Sequence, residues 1–552
     1  MIKKKFSSFL RGCAMDENAN PVPTKPHVYD DIFDHVRSFG SYQRGLWVAL
    51  SVLVMPMGAQ FAALIFAMGT PHYHCATPNV TCPPRQCCAN CTEYIFDGPM
   101  TSTVSEWKLI CDRGYLGATL QSCFFVGMLI GSLVCGVISD AWGRKKCLFI
   151  SYTFLGVAGV GSACVDCVSF FAFLRFVVGF GLTGVMLSEY VYLAEMVGPK
   201  RRTLIAVLFA LFGGAADIFF VLIAYLIRAW RTLLLVYTVP AFAVLLCWRW
   251  IPESPRWLLA HGYVDTAYAV IMKYGPKKGQ RSVDSAALMG LVTSIRRDQL
   301  KDEKAAKRHA PLDLLSGWKL RKWSFILAYQ WFSVSLLYFG MLLFISQLSG
   351  QLHVNYFIIT GLQFVSVVFK WILLQYAGRR LTHGACAVTA GVMLLTMLAI
   401  YKGYPLLTTA LALVGTMFGN INWASVYLTT AELYPTRIRN IALGAGSTSA
   451  RIGAILAPYV AMTAQLPGLS LALPVTIFGV VALLNGMLSY WLPETLFAKM
   501  HQTIEETEAA QDYYGIPCCG RPPERREIRL NGKPETNGAV VTDDTEFVLT
   551  KL

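Results

Sequence analysis

Charge is scarce in this chain. Only 15% of its 552 residues are Asp, Glu, Lys or Arg, whereas a soluble domain carries about 25%. That shortage argues against a water-exposed globule of this length. Histidines are also few, nine in all, and scattered. There is no HExxH pair for zinc, no Gly-rich loop ending in Lys-Ser/Thr for phosphate, and no nucleophile elbow. Enzymes built on those devices are excluded, and no metal or cofactor is expected. A cleavable leader is missing too. The first 45 residues are polar and basic, with Lys3, Lys4, Lys5, Arg11 and Lys25, and they lack the apolar stretch that a signal peptide needs.

What is abundant is apolar length. Hydrophobic residues make up 55% of the chain. Runs of about 20 apolar residues, each long enough to span a bilayer, recur about twelve times. They lie near 46–68, 117–139, 147–168, 172–194, 203–227, 232–250, 323–347, 354–377, 383–401, 405–430, 441–464 and 470–492. The expected organisation is a cytoplasmic N-terminus (1–45), a six-helix unit (46–251), a charged helical loop (252–322), a second six-helix unit (323–492) and a tail (493–552). The net charge of +15 reflects orientation rather than nucleic-acid binding. Lys and Arg gather in alternate connections, which marks those as cytoplasmic and places both termini there. The loop 252–322 turns basic faces towards anionic lipid.

One short connection stands out, Gly136 to Lys145 (GVISDAWGRK). Gly136 allows close helix approach, Asp140 pairs near a helix end, and Gly143-Arg144-Lys145 makes a tight basic turn. Its features return later. Gly143-Arg144-Lys145 is answered by Gly378-Arg379-Arg380. Glu195 with Arg202 is answered by Glu432 with Arg439, and Pro252-Glu253-Ser254 by Pro493-Glu494-Thr495. The offsets are all roughly 235–241 residues, as two six-helix pseudo-repeats require. One member is not echoed: Gln375 stands where a second Asp140 belongs, so the halves are braced differently.

The connection at 70–114 holds Cys75, Cys82, Cys87, Cys88, Cys91 and Cys111. Dense, even-numbered cysteines outside the cell read as disulfides, with the pairing open. Asn79 and Asn90 head glycosylation sequons in that loop. Before the first span, Tyr29 to Arg44 forms an amphipathic lead-in. The tail offers Cys518-Cys519 for palmitoylation and Thr550-Lys551-Leu552 as a ligand for a PDZ-domain protein.

Several of these stretches occur together in one order: Ser105 to Cys111 (SEWKLIC), 136–145, Pro252 to Leu258, Tyr338-Phe339-Gly340 and Ala431 to Asn440 (AELYPTRIRN). The set resembles the organic cation, anion and zwitterion transporters of the major facilitator superfamily, over about 29–495. Phe124 to Gly127 and Ser447 to Pro458 (STSARIGAILAP) look most like the carnitine and organic-cation branch. The resemblance implies an all-α membrane protein of the major facilitator fold, with twelve helices and alternating access. This chain departs from the pattern in places. Its first outer loop is short, Gln363 stands where a carboxylate is common, Thr416 where Lys is, and Glu189 and Asp217 where acids are rare.

Ionisable groups at bilayer depth cost about 2.5–3.5 kcal/mol on insertion scales, so they face a cavity or a partner. Arg451, Lys370, Glu189 and Asp217 are such groups. Arg451 offers a fixed guanidinium fork to a substrate carboxylate; alternatively it pairs with Glu189 or Asp217. Lys370 lies two turns along one face from Gln363 and binds substrate or reaches the rim. Glu189 receives an ammonium, carries a coupling proton, or braces a basic span. Tyr338, Trp331, Trp423 and Tyr427 supply faces for a quaternary ammonium, and the resemblance places Tyr338 and Tyr427 towards the cavity. Asn420 and Asn422 add polar lining. Asp140, Arg144, Glu195, Arg202, Arg379, Glu432 and Arg439 read as gate residues whose ion pairs close the inner mouth. The reading that follows is a plasma-membrane transporter of small organic ions, of carnitine type. An organic anion transporter using Arg451 and Lys370 is the alternative, and a non-transporting receptor is a third reading. Na⁺ or H⁺ is the candidate coupling ion.

Overall fold

The computed structural model describes residues 27–515, apart from 77–86, 88–90, 92, 99, 278–281, 306–310, 466–471, 497 and 499–500. Among these residues twelve long helical segments follow one another: α1 (Ser41–Phe66), α2 (Gly114–Trp142), α3 (Arg144–Cys164), α4 (Val168–Glu195), α5 (Pro199–Leu226) and α6 (Trp230–Arg249), then α7 (Trp318–Phe344), α8 (Leu352–Tyr376), α9 (Arg379–Ile400), α10 (Pro405–Leu433), α11 (Arg439–Met462) and α12 (Ala472–Ser489). α1 breaks at Val54 because Pro56 has no N–H for the ladder, and α6 breaks in the same way before Pro240. Ten of the twelve are long and apolar enough to cross a membrane. α10 and α11 fall short of that apolarity. They carry Thr, Asn and Gly runs and, in α11, Arg451, which suits helices that line an interior rather than face lipid.

The helices sort into two bundles with matching neighbours. α2 packs along α4, and α3 against α4 and α6. In the second bundle α8 packs along α10, and α9 against α10 and α12. α2 and α4 approach backbone to backbone at Gly127 and Gly179, where a Cβ would sit 2.0 Å from the carbonyl oxygens of Phe176 and Phe124. The expectation that Gly136 provides this contact is corrected: a Cβ there would meet only Leu187, at 3.7 Å. The bundles touch through α2 against α11 and α5 against α8. Those two seams are themselves exchanged by the pseudo-twofold.

Two helical starts lie earlier than the apolar runs suggest, at Ser41 and Trp318, because polar turns continue each helix beyond its apolar stretch. Between the bundles run shorter helices at Pro255–Ala260, Val264–Met272 and Ser285–Ala305. The 3₁₀ turn Tyr29–Asp34 docks on them, with Phe33 stacked on Tyr274 at 6.2 Å. Beyond α12, the helix Ile504–Ala509 places Glu508 on the first turn of α7, where it accepts from the amides of Lys319 and Leu320 at 3.3 and 3.0 Å. The start of the expected tail is therefore part of the folded body.

At the opposite end, β1 (Tyr73–Cys75) pairs antiparallel with β2 (Tyr94–Phe96). Disulfides join Cys75 to Cys91 and Cys87 to Cys111, which resolves four of the six expected half-cystines. Cys82, Cys88, Asn79 and Asn90 lie outside the described residues, as do Cys518, Cys519 and the last three residues.

Candidate substrate-binding site

The recurring motifs converge at one end of the molecule. Gly143 and Gly378 have φ of +108° and +87°, a region that favours glycine, and each turns the chain into the next helix. Glu253 accepts from the Lys145 amide at 3.0 Å, and Glu494 accepts from the amides of Arg379 and Arg380 at 2.9 and 3.1 Å. Each carboxylate thus occupies the positive end of a helix. Arg144 reaches Glu195 at 3.3 Å and Asp140 at 2.6 Å; Arg379 grips Glu432 with two bonds, at 2.9 and 3.0 Å. Ser254 donates to Glu195 at 2.5 Å, and Thr495 to Glu432 at 2.6 Å. The two clusters are copies of one design. Each arginine also donates to the carbonyl five residues before it, Arg144 to Ser139 and Arg379 to Leu374; Asp140 is the expected asymmetric member, an added partner of Arg144.

The expected gate residues take part in this end of the fold in different ways. Arg202 pairs with Asp30 at 2.5 Å. Arg144 with Asp140 and Glu195, and Arg379 with Glu432, find these partners within their own bundle, whereas Arg202 finds its partner in the Tyr29–Asp34 turn. Among the described residues, the ion pairs of Arg144 and Arg379 each join helices inside one half. Arg439 begins α11 beside this end. At the cysteine-loop end the halves are in direct contact. Thr119 and Tyr459 share a hydrogen bond of 3.1 Å, Ser122 donates to the Ile455 carbonyl at 2.7 Å, and Phe61 stacks on Phe339 at 6.1 Å.

Between the two ends lies an aromatic wall from α7 and α10. Tyr338, Trp423 and Tyr427 follow one another with ring centroids 6.3 and 6.4 Å apart. Gln363 of α8 donates to the Tyr338 hydroxyl at 3.4 Å, and Tyr427 is 49% exposed. Trp331 does not line this wall. It is 1% exposed, it lies 4.3 Å from the Tyr427 ring centroid, and its indole N–H is spent on Thr430 at 3.0 Å. Large aromatics read alike in sequence whether they line a cavity or back one. Lys370 donates to Asn420 at 3.3 Å, so these two expected residues meet.

Arg451 stands beside Tyr427, within Coulombic reach of its hydroxyl. One terminal nitrogen lies 3.8 Å from the Met128 sulfur, and the buried Nε has no partner. Among the described residues no ion pair joins it to Glu189 or Asp217, which removes the structural-pair alternative. Glu189 is 1% exposed, with both oxygens unpartnered, and Tyr152 of α3 is within its electrostatic reach. It lies within the first bundle, closed off from the aromatic wall. Among the described residues no basic side chain pairs with it, so the salt-bridge brace is not formed here.

One charge escaped the sequence reading. Arg175 in α4 is fully buried, donates to Gln60 at 3.2 Å and lies over the Phe124 ring at 5.3 Å. Gln60 in turn donates to Thr238 at 3.1 Å. This chain of polar groups braces α4, α1 and α6. The signal was present, a lone Arg within an apolar run.

Two pseudo-repeated bundles around a charged, aromatic interior define a multi-pass membrane carrier of the major facilitator fold. The same fold is found in the xylose transporter of E. coli. Its partially occluded inward-open form superposes with a TM-score of 0.61 at 14% identity, covering 83% of this chain and all of that one. Its inward-open form gives 0.58 at 16% identity, over 85% and 99%. Residues 99–508 match the sugar (and other) transporter family, and the chain belongs to that family. Among curated proteins it is 31% identical to an organic cation transporter protein of Drosophila melanogaster, over 87% of this chain and 94% of that one. It is 30% identical to organic anion transporter 3 of Sus scrofa, over 87% and 94%, and 29% identical to organic cation/carnitine transporter 2 of Mus musculus, over 87% and 93%.

Proposed function

We propose that this protein is an alternating-access transporter of small organic ions in the plasma membrane, with both termini cytoplasmic. Its preferred substrate is a zwitterion of carnitine type. The observation that carries this reading is Arg451, a guanidinium inside the fold with no carboxylate partner among the described residues. A buried charge without a counter-ion is costly, and a substrate carboxylate is the group that completes it, through a bidentate fork. Tyr338 and Tyr427 offer faces to the cationic end. The names of the relatives (organic cation, organic anion, carnitine) support the substrate class. Glu189 supports a proton as coupling ion, because it is an enclosed carboxylate with no fixed partner. The C-terminal Thr550-Lys551-Leu552 is proposed as a PDZ ligand.

Vesicle uptake of radiolabelled carnitine and benzoate, under imposed Na⁺, pH and voltage gradients, tests this. Arg451→Ala is expected to lower carboxylate uptake at least tenfold, with Arg451→Lys between it and the native protein. Equal uptake by Arg451→Ala would remove the anchor assignment. Preference for benzoate, lost in Lys370→Ala, would favour an organic anion carrier. Absence of uptake of any organic ion would favour a receptor.

A further inference from the structure

Asp217 is a second charge in the interior, of opposite sign to Arg451. It projects from α5 near the seam with α8. A Cβ on Gly58 of α1 would lie 3.6 Å from its Oδ1, so the carboxylate lies close to α1. Tyr237 of α6, Tyr338 of α7 and Tyr356 of α8 are all within Coulombic reach of it. Tyrosines from both bundles thus share the neighbourhood of one carboxylate. Among the described residues no ion pair or hydrogen bond engages it. The tyrosine hydroxyls have uses of their own: Tyr237 donates to the Phe220 carbonyl at 2.7 Å, and Tyr338 accepts from Gln363. Aromatic faces with one unpaired carboxylate suit an alkylated ammonium, which is attracted by ring and charge together.

Depth separates the two charges. Asp217 follows Pro199, the first residue of α5, by 18 residues, and Arg451 follows Arg439, the first of α11, by 12. Both helices rise from the same end, and at 1.5 Å per residue the offset is about 9 Å. Tyr338, on the wall, lies at the Asp217 end, and Tyr427 lies beside Arg451. The aromatic wall therefore runs from one charge to the other.

We infer that Asp217 is the counter-ion for the cationic end of the substrate, so that the site is dipolar. It takes a ligand with an ammonium and a carboxylate several bonds apart. This rests on the zwitterion reading above and adds a residue and a polarity to it. Carnitine enters with its ammonium towards Asp217 and its carboxylate towards Arg451. A simple quaternary cation uses the Asp217 end alone, and a simple carboxylate uses the Arg451 end alone.

The test uses the purified full chain in proteoliposomes, with carnitine and benzoate uptake measured on the same preparation. Their ratio is independent of how much protein folds. In Asp217→Asn the carnitine-to-benzoate ratio is expected to fall at least tenfold, while Asp217→Glu keeps it within about threefold of native, since the charge is retained. Stabilisation of the detergent-solubilised chain by tetraethylammonium is expected to be lost in Asp217→Asn. An unchanged ratio in Asp217→Asn overturns the inference, including the case where both uptakes fall together, which would make the residue structural or part of the coupling. Failure of the zwitterion reading looks different. The native chain would then ignore carboxylate-bearing solutes while tetraethylammonium still stabilised it through Asp217.

Discussion

Glu106 illustrates how a single side chain can hold the outer end of the first bundle. It accepts from Arg231 at 2.5 Å and from the Trp230 indole at 2.7 Å, and Trp107 beside it packs on Phe171 and Trp230. The Arg231 bond, followed by the Trp230 bond, holds its carboxyl below the ordinary 4.5, against the opposing effect of desolvation. Because the folded value is the lower one, this bond stabilises the fold above pH 4.5 and is lost as pH falls through the folded value. Glu106→Gln should flatten the acid side of the melting temperature against pH profile, below about pH 4.5. A variant with native acid sensitivity would show that other carboxylates dominate. The group is partly exposed, so the effect at neutral pH is small. Glu106 and Trp107 were legible in the sequence as part of a motif. The partners were not, since they lie about 125 residues further on. The same holds for Asp217, visible as a charge in an apolar run, whose aromatic neighbours come from three other helices.

At the scale of elements, the repeats made both the fold and its symmetry readable before any coordinates. Offsets of roughly 235–241 residues correctly gave two copies of one bundle, and the structure makes their partners equivalent. What the pattern did not give was the job of each member. Glu253 and Glu494 were legible only as repeated letters, but each seats on the amides opening α3 or α9, more than 100 residues away in sequence. Gly143 is fixed twice over, by its φ of +108° and by Glu253, whose Oε2 would lie 2.3 Å from a Cβ. Gly143→Ala should therefore cost about 1–3 kcal/mol. Gly136→Ala, in mid-helix with ordinary contact to Leu187, should be neutral or slightly stabilising. Melting temperatures of the two purified variants decide the matter, and equal values would mean that the turn relaxes freely.

For the whole molecule the question is what holds one mouth shut. Among the described residues, the ion pairs of Arg144 and Arg379 at the basic-loop end brace each bundle and keep the halves rigid as bodies. Closure instead resides at the cysteine-loop end, in the α2–α11 seam, where Thr119 meets Tyr459 and Ser122 meets the Ile455 carbonyl. Charges are conspicuous in a sequence, whereas a hydroxyl–carbonyl contact between distant helices leaves no pattern there. A neutral hydrogen bond contributes about 0.5–1.5 kcal/mol net, so losing both shifts the equilibrium by about 1–3 kcal/mol, or roughly 5- to 150-fold. Thr119→Val with Ser122→Ala should therefore expose the seam to the cysteine-loop side. Ala118 lies there, 5% exposed, and Ala118→Cys can report on it. A membrane-impermeant thiol reagent applied from that side should label this cysteine slowly alone and at least fivefold faster in the triple variant. The Thr119→Val/Ser122→Ala pair without the added cysteine supplies the background. Equal labelling rates would place the lock elsewhere, in the stacked rings of Phe61 and Phe339.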